Sequence, residues 1–335
     1  MRRFLILCTA LWVMVFTIPL LTIRPWEGEV PVDRPALAAA TDANDTQETA
    51  KSIDAATNIT LCDNGSVVTL PLDEYLAGVV AAEIPASFPE AAMKAQVVAA
   101  RTYTMNRASV TPAAAHNGAM VCSNPGHCKA YKPITVAAAG WGKMSESYTE
   151  KIKKAVADTD GEILLYNNKP ISAVFFAMSS GKTERAADVW GTDIPYLQSV
   201  ESAGETKLSG FSQTVTLSAA EFQQKFRAKH ANAQFGDDPS TWISQITRSD
   251  AGGVMTLHVG GVALKGTELR MLYGLRSTNF SAKCTKDSVT FETRGYGHGV
   301  GMSQYGARLL AEEGKNYRDI LNWYYKGVTF GKIAA

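Results

Sequence analysis

The spacing of apolar and polar positions changes several times along the chain, and each change marks an element. Residues 59–70, ITLCDNGSVVTL, read as two short strands around the turn Asp63-Asn64-Gly65. From residue 71 to 82 the period lengthens, with Tyr75, Leu76, Val79 and Val80 forming an apolar stripe at helical spacing. Pro71 suits a first helical turn, and Asp73 and Glu74 complement the positive start of the helix dipole. Ile84-Pro85 stops that helix. Ser87-Phe88-Pro89-Glu90 reads as a Ser-x-x-Glu capping box opening a second helix, whose small face is Ala92, Ala95, Ala99 and Ala100.

Residues 107–135 are loop-rich, and a helix is predicted over 148–160. Residues 162–166 and 171–176 look like paired strands around Asn167-Asn168-Lys169-Pro170. From 212 to 280 the pattern shifts to a capped helix starting at Thr216, then strands with glycine-rich turns and a short helix over 268–274. A strand over 289–294 leads into a glycine-rich turn and a final helix from Ser303. Helices first and antiparallel-type strands afterwards predict an α+β fold. The catalytic core is expected at 59–211 and 281–335, with a smaller strand-rich subdomain at 212–280.

The N-terminus differs in kind. Met1-Arg2-Arg3 precedes twenty uncharged residues, 4–23, and Arg24 follows. That length spans a bilayer as a helix, and the arginine pair predicts a cytoplasmic N-terminus, so residues 1–24 read as a single-pass membrane anchor. A cleaved signal peptide is the competing reading, through Ala36-Leu37-Ala38. A charged segment separates that match from the apolar run, which is longer than a usual signal core. Residues 25–58 are polar and rich in Ala, Asp and Thr, as expected of a flexible stalk. The remainder is then extracytoplasmic.

Composition adds limits. With 46% hydrophobic and 19% charged residues the chain can build a sizeable core, and a net charge of +1 supplies no basic field for nucleic acid.

Three acidic residues at the two predicted helix starts have structural roles, and Glu83 has none. It falls at a helix C-terminus, where the dipole disfavours negative charge, among Val80, Ala81, Ala82 and Ile84. A carboxyl group in such a place suits general-acid work. A solvated glutamate at a helix end is the plainer reading. His116, Cys122, His127 and Cys128 fall within thirteen residues and match a closed tetrahedral zinc site, with a Cys122–Cys128 disulfide as the alternative. Cys62 and Cys284 are open between pairing with each other and standing as separate thiols. The glycine-rich turn Gly295 to Ala307 is neither a dinucleotide fingerprint nor a phosphate loop, because its spacing is wrong for both. Its glycines would let backbone approach a ligand.

Four segments together resemble one family. LPLDEYLAGVVAAEIP, EAAMKAQVVAARTYT, SGKTE followed by VWG, and GHGVGMSQYGA are similar to the stage II sporulation protein D family, the peptidoglycan lytic transglycosylases of engulfing sporulating cells. The resemblance spans about residues 60–330. It implies that Glu83 is the catalytic acid and base, and that structural Zn2+ sits on His116, Cys122, His127 and Cys128. It implies glycan contacts from Arg101, Tyr103, Ser179, Ser180, Gly181, Lys182, His298, Ser303 and Gln304. The expected substrate is peptidoglycan glycan stripped of stem peptides. The expected partners are a sporulation amidase/endopeptidase, stage II sporulation protein P, and a multi-pass membrane protein, stage II sporulation protein M, on the mother-cell side of the septum. Phe176-Ala177-Met178 stands where many relatives carry His-Ser-Thr. Two rival functions are a non-catalytic peptidoglycan-binding module and a hydrolase with a distant second carboxylate such as Asp188.

Overall fold

The computed structural model describes residues 52–110, 113–202 and 204–333. The expected anchor at 1–24 and most of the expected stalk lie outside the described residues. Among the described residues no helix is long and apolar enough to cross a membrane.

Folded structure begins earlier than the polar composition predicted. Residues 52–57 are not stalk: Ile53–Ala56 is a helical turn, α1, capped by the Ser52 hydroxyl. Asp54 on it is fully buried against Arg101, with Oδ1 2.9 Å from the arginine Nε. A charge in a polar run reads as solvated until a partner elsewhere in the chain takes it inside.

Strands β1 (Asn58–Asp63) and β2 (Ser66–Pro71) form the expected hairpin. Asn64 and Gly65 have φ of 47° and 88°, the left-handed pair that a two-residue hairpin turn requires. Helix α2 (Leu72–Glu83) follows, burying Tyr75, Leu76, Val79 and Val80 as their spacing predicts. Helix α3 (Glu90–Val110) is the spine of the core, with the continuous buried run 95–104. The capping box does not form. Ser87 is exposed, a turn from Pro85 O to Phe88 N takes up the backbone there, and Glu90 pairs with Lys94 at 2.6 Å.

Strand β3 (Val121–Cys122) runs parallel to β1, placing Cys122 beside Cys62. Helices α4 (Ile134–Ala138) and α5 (Ser145–Ala157) lead to β4 (Glu162–Tyr166). Of the strand expected at 171–176 only the last two residues form, and the pairing with β4 falls on residues expected in the turn. Lys169–Pro170 (β5) pairs with β4, whereas Phe175–Phe176 (β6) pairs in parallel with Met302–Ser303. Helix α6 (Ala186–Trp190) ends on Gly191, left-handed at φ 79°.

The subdomain opens with β7 (Ser212–Ser218) and α7 (Ala219–Arg227), capped by Ser218 rather than starting at Thr216. β8 (Ile243–Arg248), β9 (Val254–Val259) and β10 (Val262–Lys265) form an antiparallel meander, followed by α8 (Gly266–Tyr273). β11 (Phe280–Cys284) and β12 (Ser288–Arg294) join β7 in the order β11-β12-β7. Phe280, Val289 and Phe291 share a second hydrophobic core with Phe222, Phe226 and Leu257. The strand-rich subdomain therefore runs to residue 294, beyond the expected boundary at 280. β13 (Met302–Ser303), α9 (Gln304–Glu312), α10 (Tyr317–Tyr324) and β14 (Thr329–Lys332) return to the first core, where β14 pairs with β4.

Candidate active site and metal loop

Glu83 ends α2 and is half-buried. Its Oε1 accepts the backbone N–H of Ala130 at 3.0 Å, while Oε2 has no protein partner among the described residues. One oxygen is fixed, and the other is not tied to protein among the described residues. The hydrogen bond comes from the strap just after the cysteine–histidine loop. That strap also lies on α2, where Lys132 N donates to Gly78 O at 3.3 Å.

Beside Glu83 sits Lys129, 7% exposed, with no hydrogen-bond or ion-pair partner among the described residues. Its ammonium lies 3.5 Å from the Phe175 ring centroid and 4.4 Å from that of Tyr103. Burial pushes this lysine down to about 8, and the Glu83 charge works in the opposite direction. Nothing in the local pattern marks Lys129 as a site residue beyond its place between the ligand pair His127-Cys128 and the strap.

The metal loop brings together all four residues singled out for it. One donor atom from each of His116, Cys122, His127 and Cys128 lies within 4.8 Å of the others. Cys128 Sγ is 3.4 Å from His116 Nε2, and both Cys122 Sγ and Cys128 Sγ are 3.6 Å from His127 Nδ1. A tetrahedron with bonds of about 2.0 Å to nitrogen and about 2.3 Å to sulfur has such edges. The two histidine nitrogens are closer, at 2.8 Å. His116 Nδ1 lies 3.2 Å from Ala119 O, a second bond that orients the ring and leaves Nε2 for an ion. Two thiolates and two imidazoles suit a borderline-soft divalent ion. The cysteines are free thiols, so the disulfide alternative is not formed, and Cys62 and Cys284 are not joined either.

The expected glycan contacts separate into three groups. Tyr103 reaches the site: it flanks Lys129, and its hydroxyl is 3.4 Å from His127 O. His298 packs against the Phe176 and Trp190 rings, but both its ring nitrogens are occupied by backbone. Nε2 pairs with Phe175 O at 3.2 Å and Nδ1 accepts Val300 N–H at 3.1 Å. Burial and the nearby Lys129 charge push this imidazole down to about 3. It is a wall residue held neutral.

The second group is interior. Arg101 is fully buried, bonded to Asp54 and to Glu162 O at 3.0 Å, and does not face a groove. Ser179 and Ser303 both donate to Glu205 at 2.7 Å, a buried carboxylate that also takes Ser202 at 2.6 Å. Ser303 in turn caps α9 through Gly306 N. Gln304 faces Gln96. These four assignments are corrected: each side chain answers a polar group inside the protein. Nothing near Glu205 in sequence announces its partners, two of which lie 26 and 98 residues away.

The third group is peripheral. Lys182 pairs with Glu201 at 3.3 Å at the surface, Ser180 donates to Ala251 O at 3.2 Å, and Gly181 O accepts Ser202 N–H.

The glycine-rich turn also has a different use from the one expected. Gly295, Gly297, Gly299 and Gly301 all have positive φ. A Cβ on them would lie 2.7 Å from Met178 O, 2.7 Å from Phe176 Cβ, 2.6 Å from Glu184 Cγ and 2.1 Å from Val174 O, respectively. The alternate glycines let this turn lie against residues 174–184, so the close approach is to protein.

The fold and site together define an α+β protein with an anchored carboxylate at a helix end, steadied by a four-donor loop. The profile of the stage II sporulation protein family matches residues 63–166. The chain is 38% identical to stage II sporulation protein D of Bacillus subtilis (strain 168), over all of this chain and 97% of that protein. It is 37% identical to the Bacillus amyloliquefaciens protein of the same name, over 98% of this chain and 95% of that one. The amidase enhancer of Bacillus subtilis is 28% identical over 76% of this chain and 40% of its own length. The chain belongs to the stage II sporulation protein D family, which acts in sporulation.

Proposed function

We propose that the protein is a membrane-anchored lytic transglycosylase acting on peptide-stripped peptidoglycan during engulfment. The observation that carries this reading is Glu83, with one carboxylate oxygen tied to Ala130 N–H and the other free of protein partners among the described residues. Glu83 as the acid protonates the oxygen bridging N-acetylmuramic acid to N-acetylglucosamine, and the C1–O bond breaks. The muramoyl 6-hydroxyl attacks C1, and the Glu83 carboxylate takes its proton. A 1,6-anhydro ring forms, no water is consumed, and Glu83 ends as it began. Lys129, close enough to Glu83 for its charge to be felt, opposes the negative charge left after the first transfer.

His116, Cys122, His127 and Cys128 hold Zn2+ in this reading. With four protein donors the ion has no open position for water and serves to stiffen the loop that supplies Ala130. The stripped substrate implies an amidase acting first, and the multi-pass membrane partner completes the assembly on the mother-cell side.

The test is digestion of denuded glycan strands followed by mass analysis. Wild type is expected to release 1,6-anhydromuramoyl ends, and Glu83→Gln to lose at least 10³-fold in rate while keeping its melting temperature. Reducing ends would assign a hydrolase. No product from wild type would leave a glycan-binding module, a reading that the likeness to a protein named amidase enhancer favours.

A further inference from the structure

A cleft lies where α6 meets the strand-rich subdomain. Its volume is about 190 Å³, and its walls include Glu184, Asp188, Ser249, Thr256, Lys265 and Thr267. Glu184 is the unusual member. It is 5% exposed, its Oε1 accepts Gly253 N–H at 3.1 Å, and the Ser249 hydroxyl lies near the carboxylate, but its buried Oε2 makes no well-formed hydrogen bond among the described residues. An unanswered carboxylate oxygen in the interior costs free energy that protein contacts could have offset.

The position is built to admit this side chain. A Cβ on Gly253 would come within 2.3 Å of Glu184 Oε1, and one on Gly299 within 2.6 Å of its Cγ. One glycine belongs to the subdomain and the other to the glycine-rich turn, so both walls of the boundary make room for Glu184. A chain of packed side chains runs from the cleft toward Glu83. Trp190, next to the lining residues Val189 and Gly191, is 43% exposed and lies 5.5 Å from the His298 ring. His298 bonds Phe175 O, and the Phe175 ring carries Lys129 beside Glu83.

We propose that this cleft is a saccharide subsite, in which Glu184 Oε2 accepts a hydroxyl or acetamido N–H from one N-acetylhexosamine ring while Lys265, Thr267 and Thr256 face the ring from the subdomain. It rests on the glycan-cleaving reading above and extends the substrate path away from Glu83. A neutral sugar satisfies the orphan acceptor with a short donor, and the hydroxyl-rich wall matches the sugar's polar edge.

Binding of chitotetraose is measured by calorimetry in the Glu83→Gln background. Adding Glu184→Gln keeps an oxygen for Gly253 N–H but places a donor where the sugar donor must bind. It is expected to weaken binding about tenfold or more with an unchanged melting temperature. Lys265→Ala, at an exposed position, is expected to weaken it several-fold without touching the buried Glu184–Gly253 contact. If both variants bind chitotetraose as the parent does while wild type still yields anhydro ends, the subsite is rejected and the catalytic reading stands. If the parent binds no chitotetraose and wild type cleaves nothing, both fall together.

Discussion

The smallest unit of the site is the Glu83 carboxyl group and a lysine that does not bond it directly. Lys129 is held by two aromatic faces, a position that keeps an ammonium near Glu83 with no ion pair of its own among the described residues. Lys129→Met should preserve the packing and remove the charge, lowering kcat about 10- to 100-fold with KM little changed, as steady-state digestion of denuded strands would show. His298 gives a pH prediction of definite sign. Its folded value is pushed down to about 3, below the unfolded value near 6.5. As pH falls between these limits the unfolded chain takes up a proton that the folded ring refuses, so stability is complete above about 6.5 and declines toward 3. Urea unfolding at pH 7 and pH 5 should show a loss of order 1–2 kcal/mol that His298→Asn removes; an unchanged acid-side loss in that variant would assign the effect to other groups.

Among elements, the decisive contact is α2 against the strap that follows the metal loop. Gly78 makes it possible: a Cβ there would lie 2.4 Å from Tyr131 Cε2 and 2.8 Å from Lys132 O. A mid-helix glycine costs about 1 kcal/mol against alanine, and close approach repays it. Gly78→Ala is expected to destabilise by about 1–3 kcal/mol and to lower activity, because the strap that moves also carries Ala130 N–H away from Glu83. The loop that carries the four donors is the strap's other support. Purified protein should contain about one zinc per chain by atomic absorption. Chelation should lower the melting temperature by ~5–10 °C and reduce the rate without abolishing glycan binding. Protein free of zinc, with Cys122 and Cys128 oxidised, would overturn the assignment.

At the scale of the whole molecule, the first of the described residues are fastened to the spine. Arg101 on α3 reaches Asp54, Glu162 O and Thr159 from a fully buried position, tying α1 to α3 and to the start of β4. Breaking such a pair by removing one partner strands the other charge indoors. Arg101→Ala should cost about 3–5 kcal/mol in urea unfolding, and a chain begun at residue 58 should lose a similar amount relative to one begun at residue 52. Equal stability of the two chains would show that α1 contributes nothing to the fold.

What the sequence determined by itself was local. The Asn64-Gly65 turn, the α2 stripe, the Glu83 position and the four donors within thirteen residues depend on neighbours a few residues apart, and all were legible there. The roles of Arg101, Ser179, Ser303 and Gln304 were not, because each is decided by a partner 26 or more residues away. The same holds for Phe175–Phe176, the only part of the expected 171–176 strand that forms, and for the subdomain edge at 294, where pairing with distant strands overrode the local pattern. Periodicity reports which face of an element is apolar; only the tertiary structure decides which buried polar group answers which, since a desolvated charge takes its partner from wherever the chain has brought one.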